Sequence, residues 1–248
     1  MPGDADYLHD DLFAAEERHF WFQARNRLIV SAFKSQFASA RSFLDVGCGR
    51  GAVLAAVDRA IPDLKLVACD ALLPALTFVT RRVPRAAVVQ LDISQLPYDR
   101  EFDVTGAFDV LEHLDDDEAV LRQMHRATKV DGGVIITVPQ HPFLWSAVDE
   151  FSHHRRRYTR TGLLEKVRRA GFRVEQVTSF MTLVLPLLAW SRLRHRGSAS
   201  LDPAAELTIG SVPNAILKGI CRLEAAAIGA GCSLPAGGSL LVAARRTA

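Results

Sequence analysis

Phe43-Leu44-Asp45-Val46-Gly47-Cys48-Gly49-Arg50-Gly51 is the most informative stretch of this 248-residue chain. An apolar, strand-like run ends in an acid, and a Gly-x-Gly-x-Gly turn leads into the helix-like run Ala52–Val57. Glycine has no Cβ, so it permits positive φ and lets a ligand approach the backbone closely. A turn that opens a helix also presents free N–H groups and the positive end of the helix dipole. The stretch therefore predicts a strand, a ligand-binding turn and a helix.

The spacing of the glycines separates two kinds of cofactor. The dinucleotide fingerprint is Gly-x-Gly-x-x-Gly, with the pyrophosphate at the helix N-terminus. Here Ala52 takes the place of the third glycine of that pattern. The Asp45 carboxylate would be repelled by the two phosphates of a dinucleotide, whereas it suits the positively charged amine of an amino-acid-like ligand. An NAD-type oxidoreductase is kept as one alternative, and a non-catalytic interaction protein with the same fold as another.

The chain from Ser42 onward alternates strand-like and helix-like runs. This rhythm predicts an α/β fold with a doubly wound, mostly parallel sheet and helices on both faces. We expect strands at Ser42–Val46, Leu64–Cys69, Ala86–Leu91, Phe102–Phe108, Gly133–Val138, Phe172–Ser179 and Ser239–Ala244. We expect helices at Ala52–Ala60, Leu73–Arg82, Asp116–Ala127 and Thr161–Ala170. The predicted division is an N-terminal helical cap (1–40), a core (41–180), a helical insertion or lid (181–238) and the last strand of the core sheet (239–248).

Composition narrows the class of protein. Hydrophobic residues make up 49% of the chain, which is enough for a sizeable core. The net charge is only +2, so charge does not favour a nucleic-acid partner. Four cysteines without a Cys-x-x-Cys pair argue against structural zinc and against a disulfide framework. The acidic start of the chain lacks an apolar signal core, so we expect a cytoplasmic location.

Two further acids follow predicted strands. Asp70 ends the second strand about 20 residues after the glycine loop, where a carboxylate can accept hydrogen bonds from both ribose hydroxyls. The alternative for Asp70 is a helix N-cap. Asp92 follows the third strand, and its alternative is an ordinary turn aspartate.

Together, the glycine loop and these acids resemble the class I S-adenosylmethionine (SAM) dependent methyltransferases. The run Asp109-Val110-Leu111-Glu112-His113-Leu114 is similar to the Glu-His-Leu stretch of the type 11/12, ubiquinone-biosynthesis subgroup. The resemblance implies a Rossmann-like sheet of seven strands, with SAM as cofactor and S-adenosylhomocysteine as its product. It implies cofactor contacts from Asp45, Gly47, Cys48, Gly49, Asp70, Ala71, Asp92, Ile93, Phe108, Asp109 and His113. The alternative for His113 is a core histidine that orients a helix start.

The segment after the fifth strand, Pro139–Tyr158, concentrates histidines, acids, arginines and aromatic residues. It resembles the His-Pro…Trp…Asp…His-x-Arg-Arg-Tyr segment of a methyltransferase subgroup from bacterial small-molecule and envelope pathways. The predicted catalytic residues are His141, Tyr158 and His113, and the predicted substrate-binding residues are Trp145, Asp149, His153 and Arg156. The alternative is a lid clamped by internal Asp–Arg pairs.

Two chemical expectations qualify these assignments. The methyl group of a sulfonium is already activated, so the protein mainly positions an acceptor and excludes water, and a general base is optional. No metal site is predicted, because adjacent histidines such as His153 and His154 rarely give good ligand geometry without a third fixed partner.

Two flanking segments complete the prediction. The aromatic run His19–Arg27 resembles the cap of the same subgroup, in which Trp21 would cover the cofactor and Arg25 would pair with its carboxylate. The alternative is plain helix packing. Residues 181–190 are apolar and Arg192–Arg196 is basic, which leaves peripheral membrane contact through 181–196, a pocket wall or an oligomer face open. We expect a small, hydrophobic or lipid-like acceptor, no nucleic acid, and a monomer or homodimer.

Overall fold

One mixed sheet organises the chain. The computed structural model describes residues 16–187, 190 and 209–247. Its strands are β1 (Ser42–Val46), β2 (Lys65–Asp70), β3 (Ala87–Gln90), β4 (Phe102–Phe108), β5 (Thr128–Pro139), β6 (Phe172–Phe180) and β7 (Ser239–Arg246). They pair in the order β3-β2-β1-β4-β5-β7-β6. The pairs from β3 to β5 are parallel, and β7 runs antiparallel to both β5 and β6.

Helices cover both faces of this sheet. They are α1 (Phe20–Gln36), α2 (Ala52–Ala60), α3 (Leu73–Arg82), α4 (Asp117–Ala127), α5 (Ala147–Phe151), α6 (Arg160–Arg169) and α7 (Ser211–Gly229). One hydrophobic cluster joins α1, α2, α3 and α7 to one face, through side chains such as Phe33, Leu54 and Ile228. A second cluster joins α4 and α6 to the other face, through Leu121 and Leu163. The predicted doubly wound α/β architecture is confirmed.

The strand β5 begins earlier than the sequence pattern indicates. The expected strand begins at Gly133, but the turn-like run Val130–Gly132 before it also lies inside the strand. The pairing of β4 with β5 shifts register between Phe102 and Val104, so the extra residues form an irregularity in the ladder. A Cβ at Gly133 would collide with the carbonyl oxygen of Ala244, so this glycine permits the close approach of β7. Glycine here marks a bulge rather than a chain reversal.

Helix α7, in the described part of the predicted helical insertion, packs against the predicted N-terminal cap. The Asn214 side chain of α7 accepts a hydrogen bond from the Phe20 N–H (2.8 Å) and donates one to the Arg18 carbonyl (2.9 Å). Buried Glu224 accepts the N–H groups of Met181 and Thr182 at 2.6 and 2.8 Å. Helix α7 thus links α1 to the chain that leaves β6.

The basic run Arg192–Arg196 lies outside the described residues. Within residues 16–187, 190 and 209–247, no helix has the length and apolar character needed to cross a bilayer.

Candidate active site

The five parallel strands end at one edge of the sheet, where α/β proteins hold their ligands. The glycine loop follows β1, Asp70 ends β2 and Asp92 follows β3. Asp109 follows β4, and its N–H donates to the Thr137 carbonyl of β5 at 2.9 Å. The topology therefore brings the predicted cofactor residues to one edge.

The glycine loop adopts a backbone that favours glycine. Gly47, Gly49 and Gly51 have φ values of 70°, 51° and 76°. A Cβ on Gly47 would lie 2.8 Å from the Val110 side chain, whereas a Cβ on Gly49 would meet no atom within 4 Å. Gly47 is therefore required by packing inside the protein. Gly49 faces open space, which a ligand can use to reach the backbone.

Asp70 ties this loop to the end of β2. Its Oδ2 accepts the Gly49 N–H at 2.8 Å, and its Oδ1 accepts the Leu72 N–H at 2.9 Å. The N-cap position of α3 belongs to Leu72, so the N-cap alternative for Asp70 is not seen. Each carboxylate oxygen keeps a second lone pair. Asp70 can therefore hold the loop and still accept hydrogen bonds from a diol.

Asp45 lies beneath the loop and is only 1% exposed. Its Oδ2 has no hydrogen-bond partner within the described part of the chain. Burial raises the pKa of its carboxyl to about 7, while Arg25 lowers the pKa and Asp70 raises it further. Burying a charge without a partner is costly. The atom therefore marks a place where an ammonium group or a water molecule would complete the site.

Helix α1 covers the loop and the end of β4. Arg25 Nη1 lies 2.5 Å from Asp109 Oδ2, and its guanidinium lies 4.8 Å from the centroid of the Trp21 ring. The Asn26 side chain donates to the Ala52 carbonyl at 3.1 Å, a contact that sequence reasoning missed. Arg25 is thus engaged by Asp109 in this structure. Its pairing with a cofactor carboxylate stays a prediction.

The remaining predicted cofactor residues have plainer surroundings. Asp92 is exposed and accepts the Ser94 N–H at 2.9 Å, which lowers the pKa of its carboxyl. This is the turn geometry of the alternative interpretation. Cys48 is half-buried beside Gly49, and Ala71 is exposed after Asp70. Ile93 begins the short 3₁₀ turn after Asp92, and buried Phe108 packs against Phe43 with ring centroids 6.4 Å apart.

Asp149 is the centre of a buried network in the segment after β5. Its Oδ1 lies 2.8 Å from His154 Nδ1 and 2.8 Å from Arg157 Nε. Its Oδ2 accepts the N–H and the hydroxyl of Ser146, which closes a capping box on α5. These partners lower the pKa of Asp149 to about 2, although burial opposes them. The carboxylate is fully buried and saturated, so its position argues against the predicted direct contact with substrate.

Tyr158 and Arg156 also make internal contacts. The buried Tyr158 hydroxyl donates to Asp117 Oδ2 at 2.6 Å, and Lys166 Nζ lies 2.6 Å from both oxygens of Asp117. Burial and Asp117 raise the pKa of Tyr158 well above its usual range. Arg156 donates to the carbonyls of Leu114 and Asp115 at 2.8 and 3.0 Å. These positions argue against a catalytic Tyr158 and a substrate-binding Arg156, and favour the alternative of an internally clamped segment.

Three other predicted residues of this segment are at least partly exposed, although the Nε2 atom of His141 is itself buried. His141 has φ 63°, its N–H donates to the Tyr158 carbonyl at 2.9 Å, and its Nε2 has no partner among the described residues. Burial and Arg157 lower the pKa of His141. Trp145 is 36% exposed, and His153 is exposed. A neutral, half-buried imidazole with an unpaired nitrogen can accept a proton or a hydrogen bond.

His113 meets His154, which the sequence pattern paired only with its neighbour His153. The rings of His113 and His154 lie 4.7 Å apart in an edge-to-face arrangement. Burial and then His154 lower the pKa of His113 to about 4, so the ring is neutral near pH 7. Buried Glu112 completes the group. The sequence placed Glu112 and His113 side by side but gave no signal that His154 would join them.

The comparison with protein families decides the identification. The model of the family described as a methyltransferase domain matches residues 13–177, which is more than half of the chain. The chain belongs to this methyltransferase family. Two curated relatives, both named probable S-adenosylmethionine-dependent methyltransferases of Mycobacterium tuberculosis strains, are 30% identical to this methyltransferase over 125 residues. That match covers 49% of this chain and 43% of each relative, so it spans less than half of the relatives' length.

Solved structures share the fold of this methyltransferase. Geranyl diphosphate methyltransferase in complex with SAM has a TM-score of 0.64 at 14% identity, covering 100% of this chain and 93% of that one. Phosphoethanolamine N-methyltransferase 2 of Haemonchus contortus scores 0.59 at 17% identity, covering 90% and 53%. The [4+2]-cyclase SpnF scores 0.59 at 20% identity, covering 91% and 83%. A fold shared with a cyclase does not fix the reaction.

The match confirms the predicted methyltransferase family, and the names of the curated relatives agree with the predicted cofactor. The finer resemblance to the ubiquinone-biosynthesis subgroup stays a prediction.

A structural role for Tyr158 in this methyltransferase has a measurable consequence. We expect Tyr158→Phe to lower the free energy of unfolding by about 1.5–3 kcal/mol, because it removes a buried hydrogen bond to a charged group. Urea unfolding followed by circular dichroism measures the change. Tyr98→Phe is the matched control, since Tyr98 is only half-buried and has an edge-to-face ring contact with Phe102. A Tyr158→Phe protein as stable as the control would contradict the structural role.

Proposed function

We propose that this protein is a SAM-dependent methyltransferase that acts on a small, hydrophobic acceptor. The observation that supports it most is the open space at Gly49, flanked by Asp70 and the unpaired oxygen of Asp45. An amine suits a buried carboxylate, and a ribose diol suits a carboxylate with lone pairs to spare. SAM carries both groups on one molecule. NAD lacks the amine, so the alternative of an oxidoreductase leaves Asp45 without a role.

The protein's own residues have three tasks in this proposal. The glycine loop and Asp70 hold the cofactor, and Asp45 balances its ammonium group. Helix α1 covers the loop through Asn26 and the Arg25–Asp109 pair, which limits the access of water. SAM supplies an already activated methyl group on a sulfonium. His141 Nε2 is the candidate to receive a proton where the acceptor must lose one.

The proposed acceptor class rests on the surface of the segment after β5. Phe143, Trp145 and Phe151 are 60%, 36% and 52% exposed. Exposed aromatic side chains grouped near a ligand-binding edge favour an apolar partner. A hydrophobic or lipid-like acceptor would pack against them. Peripheral membrane contact, a cytoplasmic location and the monomer or homodimer state stay predictions.

Calorimetry and a transfer assay test the proposal. We expect S-adenosylhomocysteine to bind the full chain with a Kd in the micromolar range, and NAD not to bind. Methyl transfer from labelled SAM is then measured with hydrophobic alcohols, phenols, amines and carboxylic acids. NAD binding without S-adenosylhomocysteine binding would support the oxidoreductase instead. Failure of both ligands to bind would support a non-catalytic protein.

The raised pKa of Asp45 predicts how cofactor binding depends on pH. With a pKa of about 7, the carboxyl is partly protonated in the unliganded protein at neutral pH. A bound ammonium group favours the ionised form, so binding below pH 7 must release a proton. We therefore expect the affinity for S-adenosylhomocysteine to fall as the pH drops from about 7.5 to 5.5, approaching tenfold per pH unit. Titration calorimetry at several pH values measures this slope.

Asp45→Asn is the matched control for that slope. The amide cannot ionise, so its affinity should be lower at pH 7.5 and nearly independent of pH over the same range. An equal pH slope in the wild-type and Asp45→Asn proteins would show that another group carries the dependence.

A further inference from the structure

Three potential metal ligands converge next to the cofactor edge. Glu112 and His113 lie in the short 3₁₀ turn after β4, and His154 follows α5. One ligand atom from each lies within 4.8 Å of the other two. Arg155 fixes the two segments to each other, since its N–H donates to the Glu112 carbonyl at 2.7 Å and its Nε to the His113 carbonyl at 3.0 Å. The backbone thus holds the three side chains together.

The Glu112 carboxyl is the observation that points to a ligand. The residue is 0% exposed, and neither oxygen has a hydrogen-bond partner of regular geometry within the described residues. Its own backbone N–H faces the carboxylate too poorly to make such a bond. A buried carboxylate without a partner costs free energy, and each such group in a native protein calls for an explanation. A bound cation would supply the missing partner.

The local charges leave room for a cation. Arg25 and Arg157 both face Glu112 electrostatically. Each of them is already paired, Arg25 with Asp109 and Arg157 with Asp149. Of these three carboxyl groups, Glu112 alone has no ion-pair partner among the described residues, and burial raises its pKa, so a metal ion would bind it by displacing a proton.

The two histidines are held with nitrogens to spare. His154 Nδ1 lies 2.8 Å from Asp149 Oδ1, so this ring donates from Nδ1 and keeps the Nε2 lone pair. The His113 ring lies edge-to-face against the His154 ring, with the centroids 4.7 Å apart. A carboxylate behind a histidine, as Asp149 is behind His154, is the usual support for metal-ligating imidazoles. Asp149 thereby gains a role as a positioning residue.

We propose that Glu112, His113 and His154 bind one divalent transition-metal ion. Two imidazoles and one carboxylate suit Zn²⁺, and the same set with open positions also suits Fe²⁺ or Mn²⁺. The ligand atoms would have to close in by about 1 Å to share one ion at normal bond lengths. Metal binding goes beyond the proposed methyl transfer and can be tested without it. The next step rests on that function: an acceptor hydroxyl on an open position of the ion would lose its proton to water more readily at neutral pH. The resulting oxygen anion would form a bond to the methyl carbon of SAM as the S–CH₃ bond breaks and S-adenosylhomocysteine leaves.

Zinc binding to the full chain tests the site. The protein is stripped with a chelator, dialysed and titrated with Zn²⁺ by calorimetry in a Cys232→Ser background, because Cys232 is an exposed thiol. We expect one ion per chain. Glu112→Gln and His113→Ala should each weaken Zn²⁺ binding by at least about tenfold, the loss already typical of removing an outer partner of a ligand. His153→Asn is the matched control, since it removes an adjacent exposed histidine while asparagine tolerates the φ of 54° at that position.

The outcomes separate this site from the proposed function. Weakened binding in both ligand variants with unchanged binding in His153→Asn supports the site. No Zn²⁺ binding, or equal binding in all variants, overturns it. Circular dichroism of the same samples shows that each variant is folded, and the affinity of the wild-type protein for S-adenosylhomocysteine tests the cofactor site on its own. Cofactor binding without zinc binding leaves the methyltransferase proposal standing and removes the metal.

Discussion

Replacing Asp70 by Asn is expected to weaken the binding of S-adenosylhomocysteine by about 100-fold or more. The carboxylate accepts the Gly49 and Leu72 N–H groups, and in our proposal it also accepts both ribose hydroxyls. Hydrogen bonds to a charged group contribute about 1.5–3 kcal/mol each, and about 1.4 kcal/mol corresponds to a tenfold change in affinity. The amide keeps one acceptor oxygen and the shape of the side chain, so the fold should persist. Calorimetry gives the affinity, and circular dichroism gives the fold.

Asp99→Asn is the control for this variant. The Asp99 side chain is 76% exposed and makes only a long, 3.8 Å ion pair with Arg100. Its removal should leave the affinity for S-adenosylhomocysteine unchanged. A folded Asp70→Asn protein with wild-type affinity would show that the ribose lies elsewhere.

Gly49→Val is expected to abolish measurable binding of S-adenosylhomocysteine. The residue has φ 51°, a conformation that a β-branched side chain adopts only with strain, and the left-handed region costs about 1–2 kcal/mol for ordinary residues. Beyond the neighbouring residues, no atom lies within 4 Å of the position of its Cβ, so the first atom of the side chain has room in the unliganded protein. The side chain would instead fill the space that the ligand needs. Binding should therefore be lost in a protein that still folds.

A glycine in α7 provides the contrast. A Cβ at Gly219 would also meet nothing within 4 Å, but this glycine is inside a helix and away from the loop. Gly219→Ala should raise the free energy of unfolding by about 0.5–1 kcal/mol and leave ligand binding intact. Retained affinity in Gly49→Val would mean that the ligand does not approach the backbone at this loop.

The elements built from local patterns could be predicted from the sequence almost to the residue. The bounds of β1, β4, α2 and α3 match the expectations, because each is a run of one periodicity closed by a turn signal. The start of β5 did not match, because Val130–Gly133 has the composition of a turn. Within this run only Gly133 pairs with β7, at Arg245, more than 100 residues away along the chain. Asp131 has φ 65°, so the run is a bulge at the start of the strand rather than extended backbone.

The candidate site also has a part that could be predicted from local sequence and a part that could not. The glycine loop and Asp70 form a local signal of known geometry, and the structure brings them together as expected. The contacts of the segment after β5 depend on partners that are distant in sequence. Tyr158 meets Asp117 across 41 positions, and His113 meets His154 across the same number. Residue type alone predicted chemistry for Tyr158, but only the tertiary contact shows that its hydroxyl is already committed.

The position of β7 affects the order in which this chain can fold. β6 is synthesised long before β7, yet in the described sheet β6 pairs only with β7. Until β7 emerges from the ribosome, the edges of β5 and β6 expose unpaired N–H and C=O groups, which are sites for aggregation. The seven residue pairs from Gly133↔Arg245 to Pro139↔Ser239 join β5 to β7, and through β7 to β6, in one late step. Completion of the sheet must therefore wait until β7 has been made, and the edges of β5 and β6 stay unpaired during that interval.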